Sequence, residues 1–549
     1  MKQFFVLIVF LYFCPILSAQ HAYLSILGRN ESQNAQIQAI GYTKKLSNAA
    51  RINQEMSNFQ NKLVDKGYIN AVLWHKKVIQ DSIFEYQFDL GTPIKFIHIY
   101  IGTNKSFFPN SPSDTLVVNY EQIATFLKQT TDKLATNGFP LSKVNLQNKI
   151  TKNQTLIADL IIETQSKRFL NDIIIKGYDA FPVGIKKYLI KKYQNKTLNQ
   201  QLLESLHQDF AQLGFVKSMK FPELLFTEKT SKVFVYLNKN SNNTFDGLIG
   251  FSNNDNQKLQ FNGNLDLGLQ NFLNQGEKLK INWKSDGKQQ KTFLFDLELP
   301  YIFKTPLTSK TQIHILKQDS TFQTTKLALD LGFALNLKTK IFVGIQNATS
   351  TQTLKTAITN GVSYQNQFYV AQFDFQRNKI ESFLDNTYLH IAIGNGNRQT
   401  KNQTNQQQFL ALNAHWQLLW KDKHGLSLKT QNFYLQSSTY FTNELYRFGG
   451  IKSIRGFVEN SLQAHLVMSI ITEYQYVISP TLYVHTITDY GFFEDKTTQT
   501  TGKLFGLGLG FGLKTKNGWL KMNYANGTVG QQNIKNSSAL IHLSLTTTF

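Results

Sequence analysis

Three ionisable residues in the C-terminal part of the chain have the types and spacing to do chemistry: Arg455, Glu473 and Asp489. Two carboxylates could act as a general acid and a general base. The competing arrangement is structural: a guanidinium presents a planar fork of donors that carboxylates receive in bidentate fashion. Structural pairing is the favoured reading, because an arginine enclosed without partners is costly. The 11 histidines are scattered with no metal-ligand spacing. There is no Gly-x-Ser-x-Gly nucleophile elbow and no phosphate-binding loop. Catalysis is therefore not expected, nor is a metal or any other cofactor.

The elements that must position these residues are strands. In Leu466 to Tyr476, residues Leu466, Met468, Ile470, Tyr474 and Tyr476 share one face and Glu473 takes the other. In Leu482 to Phe492, Asp489 falls opposite Leu482, Val484, Tyr490 and Phe492. The same alternation runs from Phe245 to Phe549. Leu327, Leu329, Leu331 and Phe333 oppose Ala328, Asp330 and Gly332, and Phe505, Leu507, Leu509, Phe511 and Leu513 alternate with Gly506, Gly508, Gly510 and Gly512. About sixteen such segments fit into the roughly 305 residues from position 245 onward, the even count of a bacterial membrane barrel. An apolar face on one side and a polar, small or acidic face on the other suits a barrel in lipid with a wet lumen. A soluble β-sandwich is the alternative, but it would have to hide many long aromatic-rich faces.

Before residue 240 the period is mixed. One arrangement recurs about three times, at a spacing of about 70 residues. A short strand leads into helical sequence, a Gly-aromatic pair closes the helix, and further strands follow. The closing pairs are Gly67-Tyr68, Gly138-Phe139 and Gly214-Phe215. Glycine suits such a position because it accepts the left-handed conformation at a helix C-terminus. The first copy, with one helix near Asn53 to Lys66, is the weakest. The predicted organisation is a signal segment at 1–19, modules at 20–91, 92–166 and 167–240, and a barrel at 241–549.

Composition bounds the rest. The chain has 549 residues, 41% hydrophobic and 17% charged, with 43 Phe, 23 Tyr and a net charge of +22. So many aromatics exclude extended disorder. A mean hydropathy of −0.28 and the lack of any run of about 18 apolar residues after residue 20 exclude a helical polytopic membrane protein. Lys2, the apolar run Phe4 to Leu17 and Leu17-Ser18-Ala19 predict a cleaved secretory signal. Cys14, the single cysteine, lies within it, so no disulfide framework is expected in the mature chain. For an exported protein the basic excess points to acidic lipid or polypeptide rather than nucleic acid.

The segment Tyr446-Arg447-Phe448-Gly449-Gly450-Ile451-Lys452-Ser453-Ile454-Arg455-Gly456-Phe457 resembles the BamA/TamA superfamily of outer-membrane assembly and secretion barrels. The family carries a Gly-Gly pair and then an aliphatic-Arg-Gly-aromatic tetrad, matched here by Gly449, Gly450, Ile454, Arg455, Gly456 and Phe457. The segment Ile471-Thr472-Glu473-Tyr474 resembles the family's next strand, and Ile487-Thr488-Asp489-Tyr490-Gly491 its hydrophobic-x-Asp-x-Gly element. The glycine strand from Gly506 and the stretch Trp519 to Ala525 continue the match, with Lys516-Asn517-Gly518 replacing a usual proline and Asn523 an acidic residue.

The resemblance implies a C-terminal transmembrane antiparallel β-barrel of about sixteen strands, preceded by about three β-α-α-β-β periplasmic POTRA-like domains. The layout is closest to TamA. It further implies an inward-folded loop at 438–460, which Arg455, Glu473 and Asp489 lock in the lumen. The glycines at 506, 508, 510 and 512 would leave room for that loop. Gly247 and Gly250 would loosen a seam between first and last strands, and the terminal Phe549 would be an assembly signal. The implied role is insertion or translocation of client outer-membrane barrels, the alternative being a two-partner-secretion pore for one large polypeptide. The implied partners are client outer-membrane or secreted polypeptides, outer-membrane lipid, and a periplasmic or inner-membrane accessory protein.

Overall fold

The computed structural model describes residues 21–80, 82–240, 242–253, 259–285, 290–318, 321–352, 362–378, 386–421, 423–530 and 539–549. The predicted signal segment and Cys14 lie outside the described residues. Packing divides the chain into two units, 1–168 with 197–201 and 169–196 with 202–549.

The first unit holds two sheets. The first comprises β1 (Ala22–Gly28), β2 (Lys45–Leu46), β3 (Val72–Ile79) and β4 (Ile83–Asp89) in the order β2-β1-β4-β3, with helices α1 (Glu31–Ile40) and α2 (Ala49–Asp65). Helix α2 buries Ile52, Met56, Phe59 and Leu63, a single stripe at helical spacing that packs on Leu24, Ile26 and Phe88. Helix α1 has no such stripe: Ile37 is its one buried residue, and the Asn30 side chain caps it by accepting from the Gln33 amide at 2.9 Å. That is why the sequence shows one helix here where the structure has two.

The second sheet orders β5 (Phe96–Tyr100), β6 (Thr115–Asn119), β7 (Lys143–Lys152) and β8 (Thr155–Glu163) as β6-β5-β8-β7, beside α3 (Ile123–Thr136). A 3-10 turn at Gly102–Phe107 and strand β6 separate β5 from α3, so this copy has one α-helix where the β-α-α-β-β pattern of the resemblance has two. Gly67 and Gly138 have φ of +89° and +96°. The amides after them, Tyr68 and Phe139, reach back to Leu63 and Leu134 carbonyls, closing their helices.

The second unit opens with β9 (Asp172–Lys176), α4 (Val183–Tyr193), α5 (Gln200–Ala211), β10 (Val216–Ser218), β11 (Glu223–Phe226) and β12 (Ser231–Lys239). Strand β9 pairs parallel with β12, as β1 does with β4 and β5 with β8. Three modules therefore repeat one topology, in which the opening strand lies against the closing one.

The barrel follows. Its first strands are β13 (Thr244–Asn253), β14 (Leu259–Gln270), β15 (Lys278–Ser285), β16 (Gln290–Ile302), β17 (Leu307–Gln318) and β18 (Phe322–Ala334). Next come β19 (Thr339–Gln352), β20 (Tyr364–Asn378), β21 (Asn386–Thr400), β22 (Thr404–Trp420) and β23 (His424–Ser437). A short hairpin, β24 (Tyr446–Phe448) and β25 (Leu462–Ala464), interrupts the wall. The wall resumes with β26 (Leu466–Ser479), β27 (Leu482–Asp495), β28 (Thr500–Thr515), β29 (Gly518–Val529) and β30 (Leu540–Thr548). Sixteen antiparallel strands close, each on its neighbours, and β13 meets β30.

Leu329, Val343, Tyr369, Ile393, Leu418, Ile470, Leu509, Ile541 and Leu543 are exposed on the outside, while Thr324, Lys310, Asp330, Ser350, Arg398 and Gln417 are buried within. A barrel turned apolar side outward belongs in lipid. The lumen is less uniformly wet than the sequence suggested. Phe368, Val370, Ala392, Phe409 and Leu435 form a buried cluster inside the wall, against which Phe433 and Tyr440 pack. The third module sits on the barrel end where β13 starts: the Asn271 amide donates to the Tyr178 hydroxyl at 2.6 Å, and Tyr188 meets Tyr301 with ring centroids 5.1 Å apart.

Candidate functional site

The segment between β23 and β26 enters the barrel from the end opposite the third module and folds down into the lumen. Arg455 is carried to mid-height, 2% exposed. Its Nε donates to Asp489 Oδ2 at 2.9 Å and its Nη2 to Asp489 Oδ1 at 2.6 Å, a bidentate pair. Nη1 donates to Glu473 Oε1, and Nη2 also reaches the Thr472 carbonyl at 3.2 Å. The Arg455 backbone amide donates to Asp489 Oδ2 at 2.9 Å, so this carboxylate holds both main chain and side chain. Asp489 is 1% exposed. A charge so enclosed is tolerable only with its partners complete.

Glu473 extends the network along the wall. Its Oε2 accepts from Gln475 Nε2 at 2.8 Å, and Gln475 Oε1 accepts from Gln417 Nε2 at 3.0 Å. Strands β22, β26 and β27 are thus tied to the loop through one chain of hydrogen bonds. A chain of this kind fixes the geometry of the groups that it joins. Among the described residues no group of three His, Cys, Asp or Glu is placed to hold a metal ion.

The tetrad is seated by absent side chains. Gly456, at φ +87°, lies against the backbone of Gly527 on β29, and a Cβ on either residue would clash with the other. Ile454 is fully buried against Gly491, and Phe457 packs on Gly527. Gly449 and Gly450, at φ +98° and +105°, make the turn above the tetrad, closed by the Gly450 amide on the Ile454 carbonyl at 3.1 Å. Of Gly506, Gly508, Gly510 and Gly512 on β28, Gly506 alone faces the loop, beneath the Arg455 carbonyl. Gly510 and Gly512 instead accommodate the rings of His485 and Tyr483 from β27, and Gly508 abuts the β29 backbone. The glycine strand thus relieves its own wall at most of these positions. Gly491, the glycine of the hydrophobic-x-Asp-x-Gly element, and Gly527, which the sequence did not single out, instead receive the loop. The visible signal was small residues beside the Asp489 and Asn523 elements.

A second anchor near the rim was also missed. Arg398 on β21 is fully buried and donates through Nη1 to Glu444 at the head of the loop. Its Nη2 donates to Thr439 Oγ1 at 2.6 Å, and the guanidinium lies 3.9 Å from the centroid of the Phe441 ring. Glu444 also accepts from Gln407 Nε2 at 3.0 Å. Nothing in the local pattern of Arg398 separates it from a loop arginine, so only the fold reveals the pair.

The first and last strands meet over a short length. Among the described residues β13 and β30 pair at Thr244↔Thr548 and Phe245↔Thr547. Thr547 Oγ1 donates to the Phe245 carbonyl at 2.7 Å, and the Phe549 amide donates to the Asn243 carbonyl at 3.1 Å. Phe549 thus helps close the end nearest the third module. Gly247 and Gly250 lie on β13 beyond the last paired residue and register with Leu265 and Asn262 of β14. They do not sit inside the paired stretch. Behind the unpaired part is a cavity of about 850 Å³, lined by Asp246, Asp266, Lys284, Lys452, Glu459 and the β30 residues from Leu540 to Leu545.

No protein-family model and no curated protein matches the sequence. Solved structures do. CdiB from Escherichia coli superposes with a TM-score of 0.53 at 14% identity, over 94% of this chain and 98% of that one. CdiB from Acinetobacter baumannii gives 0.50 at 14% identity, over 95% and 99%. BamA from Haemophilus ducreyi lacking POTRA domains 1-3 gives 0.47 at 14% identity, over 81% and 96%. The chain has the fold of the CdiB structures, with modules of mixed helix and strand ahead of a closed barrel of sixteen strands.

Proposed function

We propose that this protein is an outer-membrane assembly factor that assists the insertion of client β-barrel polypeptides. The observation that carries the reading is the seam. Strand β13 has ten residues, yet its described pairing with β30 stops at Phe245. Strand edges without partners recruit other strands, and the parted upper edges of β13 and β30 offer unpaired N–H and C=O groups. A client strand adding to such an edge would satisfy both. The three modules would lie in the periplasm and receive the client before it reaches the barrel.

The lumen loop would act as a brace. While β13 and β30 part, the wall from β26 to β29 must keep its shape, and Arg455 with Asp489 and Glu473 holds it from inside. A loop anchored at both the Arg455 and Arg398 ends also fills space through which an exported chain would have to pass. Insertion is therefore favoured over export through the lumen.

Depletion of the gene, with the outer-membrane and secreted proteomes measured side by side, tests this reading. Loss of several unrelated barrel proteins from the membrane is the expected result. Loss of one large secreted polypeptide with the membrane unchanged would overturn it and make the barrel a dedicated export pore.

A further inference from the structure

The lumen loop makes unequal contacts with the two sides of the seam. Toward the C-terminal wall it is held by buried groups: Arg455 on Asp489 and Glu473, Ile454 on Gly491, and Gly456 on Gly527. Toward β14 and β15, on the N-terminal side of the seam, it is held by two ion pairs. Lys452 Nζ lies 2.7 Å from Asp266 Oδ2 on β14, and Lys284 Nζ on β15 lies 3.9 Å from Glu459 Oε2. The loop therefore presents one charge of each sign to a wall carrying the complementary two. Both pairs border the cavity behind the unpaired stretch of β13 and β30.

We propose that Lys452, Asp266, Lys284 and Glu459 form a latch that spans the seam on its inner side and keeps it shut until a client arrives. The inference rests on the lateral-opening reading above. Parting the seam carries β14 and β15 away from β29 and β30. The loop stays with β26 to β29, because its buried contacts are far costlier to break than ion pairs open to water. The Lys452 side chain is 64% exposed and the Asp266 side chain 23%, so this contact is the one that yields. Charges in water attract weakly and are screened by salt, which makes the latch readily reversible. Two oppositely polarised pairs also fix the register of the loop against β14 and β15, since a shifted loop would bring like charges together.

The test uses the full chain with Cys14 replaced by Ser. Spin labels at Leu267→Cys on β14 and Leu543→Cys on β30 report the distance across the seam. Lys452→Glu is expected to raise the long-distance population about two- to fivefold, the range that exposed ion pairs support. The exchange Lys452→Asp with Asp266→Lys should restore the wild-type distribution, and Glu459→Lys with Lys284→Glu should do the same for the second pair. Raising salt should widen the wild-type distribution, because both pairs are screened together. An unchanged distribution in Lys452→Glu, or no recovery in the exchange, would overturn the latch.

A separate disulfide between Thr244→Cys and Thr548→Cys distinguishes the latch from the reading beneath it. Client assembly that continues with this disulfide formed removes the lateral-opening reading. Assembly that stops, together with distances unmoved by Lys452→Glu, removes the latch alone.

Discussion

Gly456 and Gly527 meet backbone to backbone inside the barrel, the first on the lumen loop and the second on β29. Neither position has room for a Cβ, and Gly456 holds a φ of +87° that disfavours any other residue. Gly527→Val is therefore expected to lift the loop off the wall and to destabilise the barrel by about 1–3 kcal/mol, the usual range for overpacking. Thermal unfolding in detergent micelles measures the loss. An unshifted midpoint would mean that the loop is not seated there.

Arg455→Ala leaves Asp489 buried with its main partner gone. Removing one member of a buried pair typically costs about 3–5 kcal/mol. Arg455→Lys should recover little, because an ammonium cannot supply the bidentate contact made by Nε and Nη2. Adding Asp489→Asn to Arg455→Ala should return part of the loss by removing the stranded charge. Unfolding midpoints of the three variants against wild type check the order, which fails if lysine rescues fully.

The rim anchor is expected to hold the loop independently of Arg455. Glu444→Ala strands Arg398 in a fully buried position and should also destabilise the barrel by about 3–5 kcal/mol. The pairs belong to different parts of the loop and share no partner, so the effects of Glu444→Ala and Arg455→Ala should add to within about 0.5 kcal/mol. Strong coupling between them in a double-mutant cycle would show that the loop is released as a single piece.

The third module supplies a pH prediction. The Tyr193 hydroxyl donates to Asp209 Oδ2 at 2.7 Å, and burial, reinforced by that carboxylate, pushes its phenol well above the ordinary tyrosine value. A group whose folded-state pKa is raised contributes stability in full below its unfolded pKa of about 10, and loses it as pH rises through the folded value. Tyr193→Phe should therefore cost about 1 kcal/mol at neutral pH, with the difference from wild type shrinking only in strong alkali. Unfolding midpoints of both proteins across the alkaline range would expose a loss that begins earlier.

Much of the fold is legible in the sequence because a membrane strand exposes one face to lipid along its whole length. Leu327, Leu329, Leu331 and Phe333 show that period without help from tertiary context, and the sixteen segments follow. The same parity indicates which way Glu473 and Asp489 point. It does not carry depth or distance. Arg398 reads like any strand-end arginine until the loop brings Glu444 to it. Gly527 is an isolated glycine until Gly456 is laid across it. Helix α1 buries one apolar side chain, too few to leave a periodic signal. The inward Phe368 and Phe409 break the expected polar face because they pack in the cluster beside the loop rather than facing open water. The seam is least legible of all. Gly247 and Gly250 suggest weakness by composition, whereas the described pairing ends before either is reached.

The central claim is that the short seam opens sideways for clients. Cysteines at Thr244 and Thr548, a register pair across β13 and β30, allow it to be locked by a disulfide in the full chain. Newly assembled outer-membrane barrel proteins are then counted in cells carrying the oxidised or the reduced form. The account predicts that assembly stops when the disulfide forms and resumes on reduction, with each single cysteine variant behaving as wild type. Assembly at the wild-type rate with the seam fully oxidised would contradict it.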